Sequence, residues 1–254
     1  MTHMHSGYLQ NSMNAPTVIS LGGSIVVPGE IDVEYVARFV AALRAKLDRE
    51  PARRFALIVG GGAAARAYQR AARSLAPGIH PDRLDEIGIA ATRINAEMVR
   101  AAFGELSPDP IFTDPTSVSF TGRVLVGGGW KPGFSTDNVA VRLAETLEAD
   151  TVINLSNIRQ IYTADPNTDP EAKPLDTITW DELIAIVGTE WKPGKNTPFD
   201  PVATARAARL EMTVVAADGR DLLNFEALLE GHPFVGTTIS AMKAPKQGPP
   251  GRSA

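Results

Sequence analysis

Three glycine-rich turns carry the residue types of an anion-binding site. They read "LGGS" at 21–24, "VGGGAAAR" at 59–66 and "GGGWKPGFSTD" at 127–137. Glycine lets backbone N–H groups approach a phosphate without an intervening Cβ atom, and a helix that begins at such a turn adds unpaired donors. Arg66 and Lys131 place a cation at the second and third turns. These residues therefore favour the binding of phosphate groups.

Other common chemistries lack their residues in this chain. No GxxxxGK[ST] occurs and no GxGxxG opens the first strand–helix unit, which disfavours P-loop proteins and dinucleotide-binding oxidoreductases. There is no cysteine, and the four histidines lack metal-ligand spacing. The net charge of −4 comes without a basic stripe, so we expect no nucleic-acid partner. With no membrane-spanning or signal pattern, we expect a cytoplasmic protein.

The elements that must position the turns alternate along the chain. "TVISL", "FALIV", "TVINL" and "TVVAA" have the β-branched character of buried strands, and segments with helical spacing lie between them. "SVSF-TG-RVLV" predicts a hairpin around a Thr-Gly turn. Alternating strands and helices predict an α/β sandwich whose mainly parallel sheet is covered on both faces. In such sheets ligands bind at the carboxyl ends of the strands, where the glycine turns fall.

Composition also predicts how the chain is divided. Residues 1–16 are polar, aperiodic and tag-like, and residues 242–254 are rich in proline and glycine, so both ends are predicted to be disordered. A boundary is predicted near residue 150, because the glycine turns precede it and long loops follow it.

Seven segments together resemble the amino acid kinase superfamily. They are "LGGS", "VGGGAAAR", "LDEIGIAATRINAEMV", "GFSTDNVAVRLAE", "ADTVINLSN", "IYTADPNTDPEAK" and "PFDPVATARAA", in that order. The resemblance covers residues 17–240 and is strongest to the uridylate (UMP) kinase branch of archaeal type. It implies a three-layer αβα sandwich, assembly as a homo-oligomer that is a hexamer or a dimer of the same interface, and transfer of the γ-phosphoryl group of ATP to UMP with Mg²⁺. It also implies an acceptor lobe at 17–150 and an ATP-binding lobe at 151–241.

The resemblance carries roles onto individual residues. Arg66 would hold the UMP phosphate and Asp85 the ribose or uracil. The full acceptor site would comprise Gly61, Gly62, Arg66, Asp85, Ser135, Thr136 and Asp137. The ATP site would comprise Gly22, Gly23, Ser24, Asn154, Tyr162, Asp165 and Pro166, with Gly60 beside the transferred group. Catalysis would rest on Lys131, Asp150, Asp200, Gly22 and Gly61, the two aspartates organising lysines and Mg²⁺, and no side chain is predicted to ligate a metal ion directly.

Two positions depart from the family pattern. Relatives usually have a lysine where this chain has Ser20, and that cation neutralises the transferring phosphoryl group. Lys131 is the candidate substitute, with Lys192 or Lys195 in reserve, because "WKPG" occurs at both 130–133 and 191–194. Arg159 and Gln160 replace an Asp-Gly pair, so the loop must rearrange if Gln160 cannot adopt the backbone angles of glycine.

These departures leave alternatives open. The chain could phosphorylate another small phosphate or alcohol, or it could bind ATP without catalysis, as molybdenum storage proteins of this fold do. The scarcity of histidine counts against the storage function, and the row of glycine turns with cations counts against a purely structural protein.

Overall fold

Strands and helices alternate along most of the chain in the computed structural model, which describes residues 15–166, 168–188 and 198–242. The strands in these ranges are β1 (Thr17–Leu21), β2 (Phe55–Val59), β3 (Val124–Gly127), β4 (Thr151–Ser156), β5 (Ile161–Tyr162), β6 (Pro174–Leu175), β7 (Thr177–Thr179), β8 (Thr213–Asp218) and β9 (Thr237–Ser240). The helices are α1 (Gly23–Val26), α2 (Val33–Arg49), α3 (Gly62–Leu75), α4 (Pro81–Phe103), α5 (Thr136–Thr146), α6 (Trp180–Val187), α7 (Pro201–Arg209) and α8 (Leu222–Leu229). None of these helices is long and apolar enough to cross a membrane.

Seven strands form one sheet in the order β3-β2-β1-β4-β8-β9-β7. Neighbours in this sheet are parallel except β8 and β9, which are antiparallel. Every residue of β1 is buried, because the strand is paired on both edges and covered on both faces. This burial explains its nearly continuous apolar sequence, which is typical of parallel sheets. The predicted mainly parallel sheet is confirmed.

Helices cover both faces of this sheet. Ile19 points to one face, where Phe39 of α2 and Phe225 of α8 stack with ring centroids 5.6 Å apart. Val18 points to the other face and belongs to a second buried cluster that includes Ala203 of α7. Alternate residues of β1 therefore pack into two separate hydrophobic cores, one on each face of the sheet. The predicted three-layer αβα sandwich is confirmed.

The predicted hairpin over 117–126 is wrong. Only its second half is a strand, and β3 pairs in parallel with β2. Side chains take the hydrogen bonds that a hairpin partner would have made. Asp109 accepts from the N–H groups of Thr121 and Gly122 at 2.8 and 3.0 Å, and Arg54 donates to the carbonyls of Phe120 and Gly122.

The predicted boundary near residue 150 falls inside the continuous sheet. β1, from the first part of the chain, pairs with β2 from the same part and with β4 from the second. The division into 17–150 and 151–241 thus separates no sheets and stays a prediction about ligand sites. The two ends predicted to be disordered lie, apart from residues 15, 16 and 242, outside the described residues.

Candidate active site

The first two glycine turns meet at the carboxyl ends of β1 and β2. A Cβ atom added to Gly23 would lie 2.1 Å from the backbone nitrogen of Gly62, and one added to Gly60 would lie 2.3 Å from the nitrogen of Gly23. Gly62 also has a φ of +60°, which residues with side chains rarely adopt. Only glycine fits at these positions. The two turns form one backbone surface of the kind that binds phosphates.

Two carboxylates meet beside this surface. Asp137 lies in the first turn of α5, and Asp200 is the N-cap of α7, where it accepts from the N–H of Ala203 at 2.7 Å. The backbone N–H of Asp200 donates to Asp137 Oδ2 at 3.4 Å, and the Ser20 hydroxyl donates to Asp137 Oδ1 at 3.2 Å. Residues distant in the sequence are thus brought together beside Ser20 of β1.

The electrostatics of this pair follow from its burial. Burial of the carboxyl group raises the pKa of Asp137 to about 6, with a further contribution from the charge of Asp200, while the Ser20 hydrogen bond acts in the opposite direction. Neither carboxylate forms a salt bridge with any residue that the structure describes. The pair therefore favours a cation.

The third glycine turn is held by α4. Arg93 donates to the carbonyls of Gly129 and Trp130 at 3.2 and 2.9 Å. Asp85 accepts from the N–H of Gly133 at 2.9 Å. The structure thus places Asp85 against the turn that precedes α5, and its contact with ribose or uracil stays a prediction.

Lys131 does not reach the carboxylate pair. Its Nζ lies 3.9 Å from the ring centroid of Trp130 and 5.0 Å from that of Phe134, a cation–π arrangement. Its side chain is exposed. The role of Lys131 as substitute cation stays a prediction. Lys192, Lys195 and the second "WKPG" lie outside the described residues.

The helix-start hydroxyls show the expected capping. Ser135 is the N-cap of α5, and its Oγ accepts from the N–H of Asn138 at 3.1 Å. Thr136 is the first residue of the helix. Their binding of an acceptor phosphate stays a prediction, and a capped helix start beside glycine turns is suited to it.

Arg66 and Asp150 lie in contrasting places. Arg66 is exposed in the second turn of α3, and its guanidinium group has no hydrogen bond or ion pair with another described residue. Asp150 is exposed and immediately precedes β4, at the edge of the sheet opposite the glycine turns. A six-residue strand separates those edges by about 20 Å. The structure therefore corrects the catalytic role predicted for Asp150.

The residues predicted to bind ATP are spread along the segment after β1. Gly22 is the N-cap of the short helix α1 that contains Ser24. Asn154 is buried on β4 in register with Ser20, so it lies beside the carboxylate pair. Tyr162 forms part of β5, and Asp165 and Pro166 are exposed in the turn that follows.

The departure at Arg159 and Gln160 does not strain the backbone. Gln160 is not among the residues with positive φ, so it does not use a glycine conformation. Its Nε2 donates to Asp176 Oδ1 at 2.9 Å and to the carbonyl of Gly236 at 3.1 Å. The glutamine thus ties the β5–β6 pair to the connection between β8 and β9.

Two residues of α4 escaped the sequence-based prediction of the site. Thr92 and Asn95 are buried polar residues spaced three apart, and they contact the third and second glycine turns respectively. The segment "LDEIGIAATRINAEMV" supports the family resemblance, but the resemblance assigns no role to these two residues. Buried polar side chains at helical spacing would have been the available signal.

Comparison with known proteins agrees with this geometry. The model of the amino acid kinase family matches residues 15–217. The chain belongs to the amino acid kinase family. A uridylate kinase from Thermoplasma volcanium is 37% identical over 230 residues, which is 89% of this chain and 98% of that protein. One from Methanospirillum hungatei is 37% identical over 232 residues, with 89% and 95% covered.

A solved structure of this family supports the same assignment. The crystal structure of uridylate kinase from Archaeoglobus fulgidus superposes with a TM-score of 0.73 and 32% identity, and it covers 89% of this chain and 100% of that one. The resemblance to archaeal uridylate kinases is confirmed. The names of these relatives favour the phosphotransferase function over storage or a purely structural role.

Proposed function

We propose that this amino acid kinase family member transfers the γ-phosphoryl group of ATP to UMP, forming UDP and ADP. The observation that carries the proposal is the meeting of two glycine turns, with no room for a Cβ atom between them, beside the Asp137–Asp200 pair. Phosphoryl transfer depends mainly on positioning and electrostatic stabilisation, and it needs no covalent intermediate. A rigid backbone cradle and an adjacent cation-seeking pair supply those two requirements.

The acceptor side is assigned to residues of the first part of the chain. The unpartnered guanidinium of Arg66 would pair with the UMP phosphate, because its planar fork suits phosphate oxygens. Ser135 and Thr136 would add hydroxyl and N–H donors at the start of α5. Asp85, which already anchors Gly133, would accept from a hydroxyl of the nucleoside. The second part would hold ATP through Asn154, Tyr162, Asp165 and Pro166.

The carboxylate pair fits Mg²⁺. Magnesium prefers oxygen ligands and is commonly bound by one or two carboxylates together with substrate phosphates. The described residues contain no group of three or more acidic or histidine side chains that could hold a metal ion alone, so Asp137 and Asp200 would share it with the nucleotide. When bound, Mg²⁺ neutralises charge on the phosphate oxygens. The chain's own contribution is to fix both carboxylates through Ser20 and the start of α7.

A homo-oligomer, expected to be a hexamer, is part of the proposal. Helix α3 has no buried residue. Tyr68 and Leu75 on α3 are 61% and 87% exposed, and Ile94 on α4 is 66% exposed. Large apolar side chains exposed to this extent favour contact with a second copy of the chain. Light scattering should show that Tyr68→Glu combined with Leu75→Glu lowers the oligomeric state, and an unchanged mass would exclude this face.

The function is tested by measuring ADP formation with Mg²⁺ against UMP, CMP, AMP, GMP and several non-nucleotide phosphates, with each product identified by mass. We expect UDP, with selectivity for UMP over the other nucleotides. If ATP raises the melting temperature but no nucleotide is phosphorylated, the proposed reaction is wrong.

A further inference from the structure

We infer that Thr92 and Asn95 of α4 are positioning residues that set the separation and orientation of the second and third glycine turns. The structural part of this inference stands on contacts alone. Its effect on catalysis rests on the proposed function, so the test below includes a measurement that needs no activity.

Asn95 orients the second turn. Its side chain is buried, and Nδ2 donates to the carbonyl of Gly60 at 2.8 Å and to that of Gly61 at 3.3 Å. In a trans peptide the C=O of one residue and the N–H of the next point in opposite directions. Holding both carbonyls toward α4 therefore turns the N–H groups of Gly61 and Gly62 away from it.

Those N–H groups face the first glycine turn. A Cβ atom on Gly23 would lie 2.6 Å from the nitrogen of Gly61 and 2.1 Å from that of Gly62. The same two groups lie at the start of α3, where backbone N–H groups have no intrahelical acceptor. Asn95 thus fixes the direction of the donors that the proposed reaction needs.

Thr92 holds the third turn from the same face of the helix. Its Oγ1 accepts from the N–H of Gly129 at 2.6 Å and donates to the carbonyl of Ile89 at 2.6 Å. A Cβ atom on Gly128 would lie 2.8 Å from that hydroxyl oxygen, and one on Gly61 would lie 3.4 Å from the Thr92 methyl group. Thr92 therefore binds the third turn and lies close to the second.

The spacing of Thr92 and Asn95 along α4 fixes the distance between the second and third glycine turns. Residues three apart lie on one face of a helix and are about 4.5 Å apart along its axis. Because α4 is a continuous helix of 23 residues, this offset cannot change without unwinding it. The turn that faces the transferred phosphoryl group and the turn that leads to the acceptor helix α5 are therefore held in fixed relation.

The test compares three variants with a matched control. Asn95→Leu removes the donor at similar volume, and Thr92→Val removes the hydroxyl. Asn224→Leu is the control, because Asn224 Nδ2 donates to the carbonyl of Val235 at 2.7 Å in a turn that belongs to neither glycine loop. We expect Asn95→Leu to lower kcat about 100-fold with KM for ATP and UMP nearly unchanged, the scale of a misplaced reacting group. Thr92→Val should lower kcat about tenfold, and the control should lose stability but keep its kcat.

Asn95→Asp adds a readout that a merely stabilising residue would not give. A protonated carboxyl group has one O–H and can donate to one of the two carbonyls, whereas a carboxylate repels both. The kcat of this variant relative to the parent should therefore rise as the pH falls from 9 to 6. A ratio that stays constant with pH would contradict the assignment, even if Asn95→Leu fails to fold.

Hydrogen exchange separates this inference from the proposed function. In Asn95→Leu the amides of Gly61 and Gly62 should exchange at least about tenfold differently from the parent, since local opening sets the exchange rate, and in Thr92→Val the amide of Gly129 should do so. Unchanged exchange at these amides would overturn the positioning role. If the parent protein does not phosphorylate UMP but these amides respond, the proposed function fails and the positioning role stands.

Discussion

The two parts of the candidate site are built by different means. The glycine turns after β1 and β2 hold each other through backbone contacts that leave no room for a Cβ atom at Gly23 or Gly60. The segment after β4 is held by side chains instead. There, Gln160 donates to Asp176 and Gly236, and Thr237 Oγ1 accepts from the N–H of Ile161 at 2.8 Å.

This difference bears on how each part can vary in sequence. Backbone packed on backbone admits one residue type, because any substituent must displace a neighbouring peptide. Side-chain tethers can be exchanged when another donor fills the position. We therefore expect substitutions to be tolerated at 159–160 but not at Gly23 or Gly60.

The largest effect is expected from adding one carbon atom to the glycine turns that follow β1 and β2. In Gly23→Ala the new methyl group would meet the backbone nitrogens of Gly61 and Gly62 and the carbonyl carbon of Gly60, all within 2.6 Å. The turns must separate, so kcat should fall about 1000-fold, the upper end for a lost oxyanion-type donor set. Steady-state kinetics measure this change.

A glycine elsewhere provides the control. A Cβ atom added to Gly29 would meet nothing within 4 Å, so Gly29→Ala should keep full activity and stability. If Gly23→Ala retains more than about a tenth of the parent kcat, the backbone cradle is not what positions the phosphates.

The Asp137–Asp200 pair should make the stability of the folded protein depend on pH. The pKa of Asp137 is raised to about 6 from an ordinary 3.8, so the folded protein binds this proton more tightly than the unfolded chain. The parent should therefore lose stability as the pH rises from 4 to 6. Asp137→Asn does not titrate and should gain up to about 3 kcal/mol relative to the parent at pH 7. Denaturation in the presence of a chelator measures this difference.

Asp114 provides a control, because its pKa is shifted in the opposite direction to that of Asp137. Hydrogen bonds from Thr116 hold the pKa of half-buried Asp114 below its ordinary value, so Asp114→Asn should show no gain between pH 4 and 7. Millimolar Mg²⁺ should reduce the advantage of Asp137→Asn, because the metal ion stabilises only the ionised pair. Equal pH profiles for parent and Asp137→Asn would mean that the pair is already neutralised.

Sequence patterns predicted the elements that local chemistry decides. Buried strands such as "TVISL" and the glycine turns that follow them were readable because each depends on neighbours in the chain. The hairpin prediction failed because Arg54 and Asp109, both outside the segment, take its backbone hydrogen bonds. The pairing of Asp137 with Asp200 joins residues 63 positions apart, and no local pattern encodes it.

Asp150 shows a limit of assigning the role of a residue from a family resemblance. The family resemblance implies a catalytic role for Asp150, although its position just before "TVINL" puts it at the amino end of a strand. In a parallel sheet the ligand lies at the other end. Strand direction, which the sequence does indicate, would have excluded it.

The predicted substitute cation gives an intermediate effect. Lys131→Ala should lower kcat about tenfold or more if its ammonium group reaches the transferring phosphoryl group, while thermal stability changes little because the side chain is exposed. Lys131→Met keeps most of the contact with Trp130 without the charge. An unchanged kcat in both variants would assign Lys131 to the aromatic cluster alone.

The smallest effect is expected in the segment after β4, where a substitution of Gln160 tests the side-chain hydrogen bonds. Gln160→Gly introduces the glycine that the family resemblance implies and removes the hydrogen bonds to Asp176 and Gly236. The cost should be about 1–2 kcal/mol in the free energy of unfolding, from lost hydrogen bonds and added chain entropy. KM for ATP should rise less than about threefold, because the surrounding strands keep their own pairing. Gln160→Ala separates the two causes, since it loses the hydrogen bonds without adding backbone freedom. If Gln160→Gly instead lowered kcat as strongly as Gly23→Ala, the second region would be as intolerant as the first, and the distinction between backbone-built and side-chain-built halves would not hold.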